Sequence, residues 1–513
     1  FLWRNDGQPK AYGKCPFTDV SSSAFYYKAV LWAVEQGITE GTSAKLFSPA
    51  VTCTNAHIIT FIWRAMGEPE KTGAGEWWTD AFNWAKSSGL LDGTYTGEYS
   101  VSGPCPRANV VTYLYRHIEK NATTIYVSAS ADAKIADGSV EKPFATIEAA
   151  RDAVRALSDK TNVKVRIAKG IYNVSEAIKL EKEDSAANGG RIRYIGDKGA
   201  TINGGVSFTS ADFKPATGAA SKWFKADAKA NIVQIDLKQL GFTKEEIAAM
   251  YTEPDTGKTV QNINGLIPTL YANGALATIA RYPNGEYAKI DSGKINSPHG
   301  AADARDLIDT TTIIVADEYA EEMNSWHDLS KVFVRGRFSL LWCDDNSRII
   351  SLEGKTLTLP FAGGYDPRDG MFFICQNAPE MLDYPGEYYV DDDAILYYYK
   401  DADFEGEMFT IPFAKTIFNI KADGISLEGL TIESAKGDII KVNADRFTMK
   451  NCEVRDSTEW IDVKGNNVTI EGSLFHDFSN GILKITGGDW EKLISSNNVI
   501  KNNEFTNWAI LGR

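Results

Sequence analysis

At 513 residues the chain is long enough to hold more than one domain, each with its own core. Its formal net charge of −14, with no long basic stripe, argues against a nucleic-acid partner. No apolar run approaches the roughly 20 residues that a membrane-spanning helix needs.

The first quarter carries an internal repeat, in which residues 29–64 match residues 81–116 without a gap. Identities include Trp32/Trp84, Gly37/Gly89, Gly41/Gly93, Cys53/Cys105 and Arg64/Arg116. A repeat of this length is one supersecondary unit that needs neighbours to bury its apolar face. Ala29, Val30, Ala33 and Val34 stand at helical spacing, Gly37 and Gly41 bracket a turn, and Thr52 or Thr54 caps a second helix. Ile58, Ile59, Ile62 and Trp63 give that helix a buried stripe.

With FTDV at 17–20, the AVLWAVEQGI run and the Phe-Ser-Pro before the second helix, residues 1–120 resemble S-layer homology modules. The resemblance implies α-helical modules that bind secondary cell-wall polysaccharide at a Gram-positive surface, on a secreted protein. In that family a Thr-Arg-Ala-Glu-like motif binds the polymer. Here residues 54–57 read Thr-Asn-Ala-His, whereas residues 106–109 keep Arg107. Arg107 is therefore the polymer-binding candidate, against a plain reading as a solvated helix-start residue. FLWRNDGQP (1–9) matches FIWRAMGEP (61–69), so residues 1–14 read as the end of a preceding module, followed by modules over 15–70 and 71–120. The natural protein is expected to begin earlier.

After Lys120 the pattern changes. TTIYVSAS (123–130) reads as a strand, 142–157 as a helix with Ile147, Ala150, Val154 and Leu157 on one face, and 162–174 and 191–196 as further strands. Near the other end, segments beginning at Ile425, Phe447 and Val468 recur every 21 to 22 residues, each followed by a second short strand. The next step, to Val499, carries the insertion GGDWEKLISS (487–496). A period near 22 with Asn/Gly corners is the pattern of stacked β-helix coils. Arg513 falls inside a coil, so continuation beyond it is expected. About 200 intervening residues hold alternating runs such as VFVRGRFSLLW (332–342) and AILYYYK (394–400), too long and strand-rich for a loop.

PFATIEAARDAVR, LYANGALATIARYPN (270–284) and NAPEMLDYPGEYYVDDDAILYYY (377–399) resemble β-helix glycoside hydrolases with an inserted β-sandwich, nearest family 141. The fold class expected is multidomain. α-Helical modules precede a right-handed parallel β-helix at 121–205 and 411–513, interrupted by a β-sandwich-like insert at 206–410. The family includes α-L-fucosidase and xylanase activities, so the glycan stays open.

Glycoside hydrolysis needs two carboxylates, about 5–5.5 Å apart for retention and about 6.5–9.5 Å for inversion, and coils stack at about 4.8 Å. The candidates are Glu453, Asp456, Glu459, Asp462, Asp477 and Asp489. Asp456 and Asp477 end equivalent strands and stack, either as catalysts or as corner residues satisfying turn amides. Asp462 aligns with Ile440 and Leu483, and Asp489 lies in the one insertion that breaks the period. Trp460 and Trp490 are the sugar-stacking candidates, against a plain role as core cover. His476 and Asp477 make a poor proton-relay pair if neighbours on a strand face opposite ways.

No HExxH, GxSxG or P-loop pattern occurs, and no cofactor or metal is expected. The six cysteines, Cys15, Cys53, Cys105, Cys343, Cys375 and Cys452, show no paired CxxC spacing. Buried free thiols are expected, with a Cys15–Cys53 disulfide as the alternative. Three functional readings remain: a wall-anchored hydrolase of an extracellular glycan, a non-catalytic adhesive shaft, and a β-helix polysaccharide lyase using Lys464 or Lys484.

Overall fold

The computed structural model describes residues 2–5, 10–251, 269–296, 310–341, 345–360, 365–479 and 481–508. Cys343, Asn480 and the last strand expected at WAILGR from residue 509 onward lie outside the described residues.

The N-terminal part is helical. Helices Tyr27–Glu35, Asn55–Ala65, Thr79–Ser87 and Arg107–Asn121 follow the repeat, two per unit. Thr54, of the two candidate caps, closes Asn55–Ala65. Its hydroxyl accepts from the His57 N–H, and the His57 ring accepts from the Thr54 N–H in return. Ile59, Ile62 and Trp63 are buried against Ala81, Trp84 and Ala85 of the next unit, so each module completes its core on its neighbour. Helix Arg107–Asn121 then docks on the following body. Glu119 pairs with Lys164 at 2.7 Å and with Arg193, which reaches Glu428 at 2.8 Å.

From Thr123 the chain builds three parallel sheets. Among the described residues, the first has seven strands, Thr123–Val127, Asn162–Ile167, Arg191–Gly196, Ile425–Glu428, Thr448–Lys450, Thr469–Glu471 and Val499–Lys501. The middle sheet stacks Gly170–Asn173, Ala200–Asn203, Thr431–Ala435, Glu453–Ser457, Leu474–Phe478 and Glu504–Phe505. The third stacks Ile178–Leu180, Phe418–Ile420, Ile440–Asn443, Ile461–Lys464 and Leu483–Thr486. From 425 onward the chain visits first, middle and third sheet in rotation, one strand each per turn.

One apolar core runs through this stack. Ser426 pairs with Thr448 and Thr448 with Thr469, which sets Ile425, Phe447 and Val468 in one register column. All three side chains are fully buried. Helix Ile147–Arg155, capped by Thr146, buries Ile147, Ala150 and Val154 on the first strands. The turns between sheets need left-handed backbone, and Gly or Asn meets it at Gly429, Asn451, Gly472 and Asn502.

Between Asn203 and Phe418 the chain leaves the stack, yet the sheets continue across the gap. Arg191–Gly196 pairs with Ile425–Glu428, and Ala200–Asn203 with Thr431–Ala435. The intervening segment folds into largely antiparallel sheets with their own cores.

Two expectations are corrected here. Asp462 is in register with Lys441 and Lys484, not with Ile440 and Leu483, because Ile461 is the residue that stacks on those two. The cysteines are not uniformly buried. Cys375 and Cys452 are, but Cys53 is exposed and Cys15 and Cys105 are half-buried.

Candidate active site on the middle sheet

The outer face of the middle sheet is where chemistry-bearing side chains converge. Thr431–Ala435, Glu453–Ser457 and Leu474–Phe478 are aligned so that Glu433, Arg455 and His476 stack in one column. The next residue in each strand, Ser434, Asp456 and Asp477, has a φ of 67°, 55° and 56°. A left-handed residue inside a strand breaks the alternation of faces. His476 and Asp477 consequently share a face, and His476 Nδ1 lies 2.5 Å from Asp477 Oδ2. The alternation argument against this pair fails for that reason.

The same bend turns Asp456 beneath its neighbours. The residue is almost wholly buried, at 4% exposure, and among the described residues Oδ1 has no hydrogen-bond partner. Arg455 Nε is 3.7 Å from Oδ2. Burial pushes the Asp456 carboxyl well above the ordinary carboxylate range. The Arg455 guanidinium opposes the shift, and Glu433, Asp477 and Glu453 add to it. Asp456 is thus a carboxyl group poised to carry a proton where free carboxylates are ionised.

The surrounding groups are held by one another. Arg455 donates to Glu433 Oε2 through Nε at 2.9 Å and Nη2 at 2.7 Å, and its Nη1 lies 3.4 Å from Glu453 Oε1. His476 Nε2 lies 3.2 Å from the same Glu453 oxygen, and Asn507 donates to Asp477 Oδ1. From the intervening segment, Tyr271 donates its hydroxyl to the Asp477 carbonyl at 3.4 Å. Tyr271 opens a hairpin whose Asn273-Gly274 turn has positive φ at both residues, the two-residue turn that matches strand twist. A side chain at Gly274 would come within 3.9 Å of Arg455, so the turn sits directly over the column.

The other sequence candidates lie elsewhere. Asp462 is on the third sheet, between Lys441 and Lys484 in register and 3.6 Å from Lys464. Asp489 sits in the insertion and is held below its usual range, first by Lys492, whose ammonium is 2.7 Å away. Trp490 beside it is 84% exposed. Trp460 is half-buried, and its ring packs so closely on Gly481 that any side chain there would collide with it. The structure therefore brings Asp456 and Asp477 together and leaves Asp462, Asp489 and both tryptophans apart from them. Glu433, Arg455 and Tyr271 were missed, although stacking the repeats would have found the first two.

Between the helical modules lies a cleft of about 430 Å³ lined by Glu40, Thr42, His57, Arg64 and Trp77 among others. Arg64 is 3.6 Å from Glu40 and 3.9 Å from Glu68. Arg107 is exposed in the first turn of its helix and does not line this cleft. Asn55, at the position where the binding motif has Arg, is buried and donates to the Ser100 carbonyl at 2.9 Å. It ties the two modules together.

Comparison with known proteins agrees with both halves. The S-layer homology domain matches residues 16–56. No curated protein matches. Among solved structures, a glycoside hydrolase is similar at 16% identity and a TM-score of 0.52, covering 76% of this chain and 74% of its own. The complex of XylC with xylose is more distant, at 11% identity and a TM-score of 0.35 over 76% of this chain and 54% of its own, and carries no weight. Among the described residues no helix is long and apolar enough to cross a membrane. The chain carries an S-layer homology domain, a cell-surface anchoring module, followed by a strand-rich body with a glycoside-hydrolase-like fold.

Proposed function

We propose that this is a wall-anchored, extracellular glycoside hydrolase of a Gram-positive surface. S-layer homology modules at 15–70 and 71–120, with 1–14 the end of another, hold secondary cell-wall polysaccharide. Residues 121–205 and 411–513 form a right-handed parallel β-helix, and 206–410 a β-sandwich-like insert. The observation that carries the catalytic reading is Asp456: a buried carboxyl with a raised pKa, one coil from Asp477, beneath a hairpin of the insert. Asp456 acts as general acid on the glycosidic oxygen. Asp477, oriented by His476 and Asn507, is the second carboxylate. The coil rise of about 4.8 Å favours the short separation of a retaining enzyme. Glu453, the most exposed carboxylate of the group, faces incoming substrate.

A non-catalytic, adhesive role has one observation in its favour: Arg455 and His476 already pair the neighbouring carboxylates, as a purely structural network would. A panel of plant, host and bacterial glycans incubated with the full chain separates the two. New reducing ends are expected from at least one glycan, and binding without any cleavage selects the adhesive role. For the anchor, the chain is expected to sediment with purified walls and to stay in solution once wall polysaccharide is stripped. Equal sedimentation with bare peptidoglycan would contradict it.

A further inference from the structure

Cys53 and Cys105 are equivalent residues of the two modules, and the fold sets these equivalents face to face. Thr54 and Pro104 form an antiparallel bridge. On either side of it the Cys105 N–H donates to the Cys53 carbonyl at 3.0 Å, and the Asn55 N–H to the Gly103 carbonyl at 2.9 Å. In that register Cys53 is directly opposite Cys105. Opposed residues of this kind have Cα atoms about 5.5 Å apart and side chains on one face. Disulfides span Cα separations of about 4.4–6.8 Å. The Cys105 thiol is pushed up to about 11, first by burial and then by the nearby Cys53 charge. Cys53 is exposed, whereas Cys375 and Cys452 are buried in separate cores. Cys15 packs beside Phe17 and Val30 in another cluster. A cell-surface module works where disulfides persist.

We propose that Cys53 and Cys105 form a disulfide that joins the two helical modules covalently at the edge of the cleft lined by Cys53, His57, Arg64 and Trp77. The oxidant is a small-molecule disulfide or a thiol–disulfide oxidoreductase. The Cys53 thiolate attacks one sulfur of the oxidant and expels its other half as a thiolate, leaving a mixed disulfide on Cys53. The Cys105 thiolate then attacks the Cys53 sulfur and expels the second half. Two electrons pass from the cysteine pair to the oxidant, and the two protons lost by the cysteines appear on the released thiols. Cys53 goes first because it is the accessible one. The bond fixes the start of helix Asn55–Ala65 to the segment entering helix Arg107–Asn121, and so holds one wall of the cleft.

The test uses the full chain equilibrated with oxidised glutathione at mildly alkaline pH. Free thiols are then alkylated, and the protein is unfolded and digested without reduction. A Cys53–Cys105 linked peptide pair is expected as the dominant cross-link, two hydrogens lighter than the sum of its parts and lost on reduction. Recovery of both cysteines with the alkylating label, or a Cys15–Cys53 linkage in its place, overturns the proposal. The Cys105→Ser chain tests the order of attack. Cys53 should then be recovered as a glutathione adduct, and Cys53 carrying only the alkylating label would overturn it.

Discussion

Asp456→Asn should lower glycan turnover by at least about a hundredfold, the usual scale of a lost general acid, while the fold survives. Asn adopts left-handed backbone readily, as Asn507 does one coil beyond Asp477, and it is neutral like the protonated acid it replaces. The pH profile gives a second reading. The Asp456 pKa is raised in the folded state, so the acid is present at low pH and is lost as pH rises through that value. The wild-type rate should fall along that limb, and the variant's residual rate should lack it. Stability follows the same sign. The contribution of Asp456 is fully present below its unfolded value of about 3.9 and is lost as pH rises through the folded one. The variant should therefore gain on the wild type in thermal stability as pH rises. A rate within a few-fold of wild type in a folded Asp456→Asn chain would remove Asp456 from the chemistry.

Phe447→Ala should carry a large stability cost. Phe447 is fully buried between Ile425 and Val468 in the continuous core, with ladder hydrogen bonds fixing the strands on both sides. The site cannot collapse without breaking register, which places the loss toward the upper part of the range of about 3–5 kcal/mol for Phe→Ala. Because the chain has several bodies, a single unfolding midpoint is not the right measure. Amide exchange resolved by segment is. Protection of Thr448–Lys450 and Thr469–Glu471 should drop, while helix Asn55–Ala65 keeps its own. Unchanged protection in those strands would contradict a continuous core.

The repeat period of the parallel sheets was legible in the sequence because buried positions recur at fixed spacing, and because left-handed corners select Gly and Asn at Gly429, Asn451, Gly472 and Asn502. Finer placement was not. Asp462 was read one residue out of frame, since Ile439, Ile440 and Ile461 offer two apolar alignments and only the ladder chooses between them. The His476–Asp477 contact depends on a positive φ within a strand, which a rule of alternating faces cannot anticipate. Tyr271 reaches Asp477 from 206 residues away in sequence, across an insert whose length hides the contact. The opposition of Cys53 and Cys105 follows from a bridge between two modules, not from any local pattern.

Glycan chemistry is proposed at Asp456 and Asp477, under the Asn273-Gly274 turn. It is tested most directly by a crystal structure of the Asp456→Asn chain soaked with an oligosaccharide that the wild type cleaves. A sugar is expected on the outer face of the middle sheet, its glycosidic oxygen within hydrogen-bond reach of the side chain at position 456 and its anomeric carbon facing Asp477. An oligosaccharide bound at Asp462 on the third sheet, at the Asp489 insertion, or only in the cleft between the helical modules would contradict it.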